Sequence, residues 1–185
     1  MDMCIYRCMN TPLGAIIVAA HGEAVCGLWF EGQKYERAGL PADAVCGDAP
    51  VLDAAEAWLE RYFAGQQPGD MPPLELSGSA FKRAVMEEML SIPRGQTTTY
   101  GEIAQRLRGR GFERACARAV GTAVGHNPIS IFVPCHRVVG AGGALTGYAG
   151  GLERKRFLLE LEGAAQKSST EINFTFSRAE KSDIM

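Results

Sequence analysis

Hydrophobic positions follow two different rhythms along the first half of the chain. LGAIIVAA (13–20) and AVCGLWF (24–30) are short apolar runs, and His21-Gly22-Glu23 between them reads as a turn. Together they predict a β-hairpin. From Pro50 the period changes. In PVLDAAEAWLERYFA (50–64), Leu52, Ala55, Trp58, Leu59 and Tyr62 share one stripe of a helix, which Gly65 ends. QQPGDMPPLELSG follows, and its prolines and glycines mark a linker. The pattern up to this point predicts a small α/β unit with no evident catalytic cluster.

The second half reads as helices and turns. SAFKRAVMEEMLS (79–91) predicts a helix with Phe81, Val85, Met86 and Met89 on its apolar face, stopped by IPRG. Thr99-x-x-Glu102 is a capping-box spacing, which makes Thr99 the N-cap of the next helix. Beyond the turn RGRGF, ERACARAVGTAVG (113–125) predicts another. Two helices joined by a turn in a basic context suggest a helix-turn-helix DNA-binding unit, although the spacing alone favours an ordinary helical hairpin. Ala115, Cys116, Ala117, Ala119, Gly121, Thr122 and Ala123 are all small. They permit close approach to a neighbouring helix or, with Arg118 as the one long cation, to a nucleic-acid groove. AGGALTGYAGG (141–151) is a glycine-dense loop carrying Tyr148, and a last helix is predicted over 152–161. Residues 164–185 have no persistent pattern and are expected to be disordered.

Composition narrows the class. Of 185 residues, 46% are hydrophobic and 22% charged, as in a soluble globular protein that needs no staples. No apolar run approaches the length of a membrane span, and the N-terminus lacks a secretory pattern, so the cytoplasm is expected. The net charge of -2 is unevenly spread. Residues 1–75 carry 11 acidic and 4 basic side chains, whereas 76–163 carry 7 acidic and 12 basic ones. A polyanion would be drawn to the second segment alone. The cysteines at 4, 8, 26, 46, 116 and 135 contain no CxxC pair, and free thiols are expected. Cys4, Cys8, His21 and Cys26 match no compact zinc spacing.

IFVPCHRVVG (131–140) sets a thiol, an imidazole and a guanidinium between two apolar runs. Cysteine is a nucleophile only as thiolate, with an ordinary pKa of about 8.5, and a nearby base or cation activates it. Neighbours on a regular strand point to opposite faces. Cys135 and His136 therefore cooperate only if the chain leaves strand geometry, or through a water. Pro134 favours such a departure, and Asn127-Pro128 adds a turn signal upstream. A third group should orient the imidazole; acidic residues of the last helix are candidates, Glu162 among them. Taken alone, the Cys-His pair fits a buried thiol beside a structural histidine equally well.

In this setting, however, PCHRV closely resembles the active-site motif of the O6-alkylguanine-DNA alkyltransferases. IPRGQTTTYGEIA, ARAVGTAVGHNP, TGYAGGL and LLELEG resemble further segments of that family and occur in its order, over roughly residues 79–163. TPLGAIIVAA and CGLWF resemble the family's variable first domain less specifically. Alkyltransferase-like proteins that only bind lesions have another residue where Cys135 stands, so the cysteine favours an active protein. The resemblance implies an α/β fold. A small ribonuclease-H-like domain with its linker would span 1–76, a mostly helical winged helix-turn-helix domain 77–163, and a tail 164–185.

It also implies a reaction. Cys135 takes the alkyl group from O6 of a damaged guanine and keeps it as a thioether, so each molecule acts once. His136 deprotonates the thiol through a water, and Glu162 orients the histidine. Asn127 holds the turn leading to the active-site segment. Arg118 fills the gap left by an everted base, and Tyr100 crowds the phosphate backbone to favour its rotation. Tyr148 binds the flipped base with ring and hydroxyl, and Val138 and Ala149 belong to the same substrate-contacting set. Ala149 replaces a serine of some members. Because the contact there is the backbone NH, alanine is expected to widen the pocket, toward bulkier adducts or O4-alkylthymine, without abolishing repair. The turn between Tyr100 and Arg118 is longer than in some members. Some members hold zinc in the first domain; a full ligand set is not apparent here, and neither metal nor other cofactor is expected. The implied partner is double-stranded DNA containing alkylated guanine, met by a monomer, with no membrane involved.

Overall fold

A computed structural model of the chain describes residues 3–164. The expected tail, apart from Ala164, lies outside the described residues. The first half is built on a four-stranded sheet. Strands β1 (Cys4–Thr11), β2 (Gly14–His21) and β3 (Ala24–Phe30) form an antiparallel meander, and the short β4 (Val45–Cys46) joins β1 in parallel. The predicted hairpin is β2–β3. Strand β1 escapes the sequence pattern because its burial alternates only weakly. Its turn to β2 is closed by the Thr11 hydroxyl, which donates to the Gly14 carbonyl at 2.7 Å.

One face of the sheet, with Ile16, Val18, Leu28 and Phe30, packs under helix α1 (Pro50–Phe63) and joins the main core. The other face buries Cys4, Ile17, Ala19 and Trp29 beneath the loop carrying Leu40 and Ala44. Strand β2 is thus covered on both sides, which explains an unbroken apolar run in place of alternation. A Cβ on Gly27 would fall 1.9 Å from the Trp29 ring, so glycine is required where the register shifts beside β2. The predicted linker is pinned to the sheet. Val25 donates its NH to the Pro73 carbonyl at 2.8 Å, and Glu75 donates to Val25 at 2.9 Å.

The second half contains α2 (Ala80–Leu90), α3 (Tyr100–Gly109), α4 (Ala117–Gly125) and α5 (Leu152–Leu161). Thr99 caps α3 through a complete capping box with Glu102. Helix α4 begins at Ala117, four residues later than the sequence predicts. Residues 113–116 instead form a turn, held where Arg108 donates to the Ala115 carbonyl at 2.8 Å. Helix α4 packs on α3 through Val120 and Val124, whereas its small residues mostly point outward. The helix-turn-helix therefore presents an open face. A two-residue parallel pair, β5 (Thr98–Thr99) with β6 (Val138–Val139), ties the start of α3 to the active-site segment.

The halves are stitched together. Leu28 donates to the Pro128 carbonyl at 2.8 Å, Ser130 donates to Leu28 at 3.1 Å, and Lys34 donates to Ala149 at 3.1 Å. The result is an α/β arrangement of a sheet-based first half and a mostly helical second half. Among the described residues no helix is long and apolar enough to cross a membrane. All six cysteines are free. Cys4 and Cys26 bring their sulfurs to 3.7 Å, and His21 Nδ1 lies 2.9 Å from Glu75. Among the described residues no three His, Cys, Asp or Glu side chains converge to hold a metal ion.

Candidate active site

The position of Cys135 is set by a folded-back loop. Asn127 bridges it: its Nδ2 donates to the Val133 carbonyl at 2.8 Å, and its Oδ1 accepts from the Ile129 NH at 3.1 Å. Ile131 adopts φ +69°, a left-handed conformation costly for a β-branched residue, on the order of 1 kcal/mol or more. The ordered neighbours hold it there. Pro134 then leads into a single 3-10 turn, Cys135–Arg137. That turn is a departure from strand geometry of the kind that Pro134 favours.

His136 is fully buried. Its Nε2 lies 2.8 Å from Glu162 Oε1. Glu162 is the most heavily bonded acid of the site. It also accepts from Tyr62 Oη at 2.7 Å, Arg137 Nη2 at 2.9 Å and Arg137 Nε at 2.8 Å. Burial alone would favour a protonated carboxyl. The bonds from His136, Arg137 and Tyr62 outweigh it and hold Glu162 well below the usual carboxylate range. Burial likewise keeps the imidazole below its ordinary value, against the pull of Glu162. A carboxylate only accepts, so the hydrogen of the neutral ring is on Nε2. Nδ1 is then the free lone pair, and among the described residues it has no hydrogen-bond partner.

Cys135 is 4% exposed, and burial pushes its thiol up. Asn127, the Lys155 charge and Ser130 work in the opposite direction. The resting group is therefore a thiol that must lose its proton before it can attack. Lys155 is fully buried. Its Nζ donates to the Val138 carbonyl at 2.6 Å and the Thr146 carbonyl at 2.9 Å, and burial lowers its pKa to about 8. It thereby clamps the β6 segment to the glycine-dense loop and lends Cys135 a positive neighbour.

A cleft of about 490 Å³ opens beside this cluster. One wall is the outward stripe of α4: Arg118, Gly121, Thr122 and Gly125. Opposite lie Tyr100, Tyr148 and Ala149. Tyr100 Oη donates to the Thr146 carbonyl at 3.0 Å, which fixes its ring at the rim. Tyr148 packs edge-on against Phe30, and its buried hydroxyl has no well-formed hydrogen bond among the described residues. Burial raises both tyrosine pKa values, and the charge of a Cys135 thiolate would add to each. A Cβ on Gly150 would press to 2.8 Å from Tyr148 and 3.0 Å from Phe30. Glycine there lets the loop lie flat against the pocket.

Residues 80–164 match the family model described as 6-O-methylguanine DNA methyltransferase, DNA binding domain, and residues 4–76 match its ribonuclease-like domain. The chain belongs to the 6-O-methylguanine DNA methyltransferase family. It is 44% identical over 157 residues to the methylated-DNA–protein-cysteine methyltransferase of Mycobacterium bovis, covering 85% of this chain and 91% of that one. The Haemophilus influenzae protein of the same name is 39% identical over 163 residues, 88% of each chain. Among solved structures, the Mycobacterium tuberculosis OGT in complex with DNA is similar with a TM-score of 0.75 at 42% identity, covering 86% of this chain and 92% of that one. An O6-methylguanine DNA methyltransferase from Methanococcus jannaschii is similar with a TM-score of 0.56 at 27% identity, covering 91% and 99%.

Within this methyltransferase-family fold, His136 and Glu162 meet directly after Cys135 in the chain, Asn127 holds the loop ahead of it, and Lys155 clamps Val138 alongside. Tyr100, Arg118, Tyr148 and Ala149 line the cleft. Two residues that sequence reasoning missed belong to the same cluster. Tyr62 comes from the first half, which shows no catalytic cluster in sequence, yet its hydroxyl reaches Glu162. The available signal is that Tyr62 is the last member of the α1 stripe and carries a polar tip. Lys155 is the second. It shares a face of α5 with Leu158 and Leu159, where a lysine is out of character.

Proposed function

We propose that this chain repairs DNA by moving the alkyl group of O6-alkylguanine onto Cys135, once per molecule. The observation that carries the reading is the Nδ1 of His136, which has no hydrogen-bond partner among the described residues, on a ring kept neutral by burial and oriented by Glu162, directly after a buried thiol in the chain. In this reading a water passes the thiol proton to Nδ1, and Glu162 steadies the imidazolium. The sulfur attacks the alkyl carbon, the S–C bond forms, and the C–O6 bond breaks with its electron pair on the base. The proton taken by His136 returns to neutralise the guanine. The thioether has no ready hydrolytic exit, so the protein is consumed.

A guanine in a duplex hides its O6 substituent, so the base must leave the stack. Arg118 takes its place, and Tyr100 favours rotation of the nucleotide. Tyr148, Val138 and Ala149 receive the base, and Ala149 leaves room for bulkier adducts or O4-alkylthymine. The small outward residues of α4 suit a minor groove only about 6 Å wide before distortion. We assign the chemistry to residues 77–163, the framing role to 1–76, and the working form to a cytoplasmic monomer without cofactor. Incubation with duplex DNA containing O6-methylguanine, followed by trypsin and mass measurement of the Ala119–Arg137 peptide, tests this. One added methylene with stoichiometric loss of the lesion supports the reading. An unmodified peptide on shifted DNA indicates a non-catalytic binder, and turnover of an ester or amide indicates a hydrolase.

A further inference from the structure

Residues 31–44, between β3 and β4, form a strap that crosses from the first half to the mouth of the cleft. Its start is locked. The Gln33 side chain is buried and accepts from the Phe30 NH at 2.8 Å, and Lys34 donates its NH to the Ala149 carbonyl at 3.1 Å. Tyr35 adopts φ +62°, a left-handed conformation that non-glycine residues rarely hold. In that conformation its ring stacks on His126, 4.3 Å between centroids, directly after the last turn of α4. Lys34 and Tyr35 line the same cleft as Arg118, Gly121, Thr122 and Gly125. The outward stripe of α4 therefore continues without a break onto the first half.

Charge singles out the strap as well. The first 75 residues carry only four basic side chains against eleven acidic ones. Arg7 is bound to Asp48, Asp53 and Glu56, Arg61 donates to the Pro68 carbonyl, and Arg37 lies over the Tyr6 ring beside Glu36. Lys34 is exposed, and among the described residues it makes no ion pair; its ammonium rests 4.9 Å above the Tyr35 ring. An uncommitted cation on an aromatic platform at the end of a DNA-facing helix is complementary to a phosphodiester.

We propose that the first half shares in DNA binding: Lys34, set by Tyr35, takes a backbone phosphate of the strand that runs past the C-terminal end of α4. The proposal rests on the repair reading above and extends its interface beyond the helix-turn-helix. The test is fluorescence anisotropy of the full chain on a short unmodified duplex across a salt series. Each phosphate contact contributes about 0.9 to the slope of log affinity against log salt. Lys34→Gln is expected to lower the slope by about that amount and to weaken low-salt binding several-fold. Lys34→Arg should retain both, and Lys34→Glu should lose more than Lys34→Gln. An unchanged slope and affinity in Lys34→Gln overturns the proposal. The unaltered protein is tested in parallel for gain of a methylene on Cys135. Failure there removes the repair reading, whereas transfer with an unchanged Lys34→Gln slope removes this inference alone.

Discussion

The relay below the cleft and the α4 face above it are built on opposite principles. In the relay every charge is committed: Glu162 is bound by His136, Arg137 and Tyr62, and Lys155 by two carbonyls. On the face, Arg118 and Lys34 are exposed and make no ion pair among the described residues. Buried charges are costly without partners, and their mutual bonds fix geometry before any substrate arrives. Exposed cations that await a polyanion lose by being paired in advance, since counterion release depends on their being free. Preorganisation and availability are thus assigned to different layers of the molecule.

Substitutions that strike one layer and spare the other break or sharpen this contrast. The largest effect is expected for Cys135→Ser: transfer is abolished, and the tryptic peptide gains no methylene beyond its new mass. Duplex affinity by anisotropy should stay within about twofold, because groove and phosphate contacts are separate from the nucleophile. A large loss of binding would mean that the layers are not separable.

Glu162→Gln comes next. It removes the negative charge that faces His136 and Arg137 and turns one of the two acceptor oxygens into a donor. Single-turnover transfer should fall by about a hundredfold or more, and unfolding stability by about 3–5 kcal/mol in denaturant titrations. The unaltered chain gives a matching pH signature. The folded pKa of Glu162 is depressed, so its contribution is complete above the ordinary value of 4.5 and is lost only as pH falls further toward the folded value. The folded pKa of His136 is also depressed, from 6.5. Below that value the unfolded chain takes up a proton that the folded chain resists, and stability should decline. Thermal melts between about pH 7.5 and 5.5 check the sign.

Arg118→Ala probes the outer layer. Repair of a duplex should slow on the order of tenfold, with less effect on transfer from the free base, because only the duplex requires extrusion. Equal losses on both substrates would remove the stacking role. The smallest effect is expected for Tyr62→Phe. It deletes one hydrogen bond to a charged acceptor, worth about 1.5–3 kcal/mol, while His136 and Arg137 still hold Glu162. Transfer should slow modestly in single-turnover measurements, and duplex binding should not change.

Where local chemistry decides, the sequence is legible. The Thr99 capping box, the α1 stripe and the turn forced at Pro134 all follow from neighbours in the chain, and all are present. Tertiary context overrides the rest. Residues 113–116 are adequate helix formers, yet Arg108 and the buried Ala115 hold them in a turn, so α4 starts late. Strand β1 is defined by its pairing with β2 more than by its own pattern. Tyr62 and Lys155 enter the site through burial that reverses their usual preferences. No spacing rule places Tyr62 beside Glu162, 100 residues away. The strap at Lys34 is legible only as one cation in an acidic segment until its contact with the cleft is visible.

The bond from Tyr62 to Glu162 has a practical corollary for dissection of the molecule. Trimming the polypeptide to its second half would strip a donor from the acid, bare the edge against which Ile129 and Ser130 are zipped, and unseat the loop that carries the thiol. A minimal alkyl acceptor cut at the linker would keep Cys135, His136 and Glu162 and still lack Tyr62 and the scaffold around them.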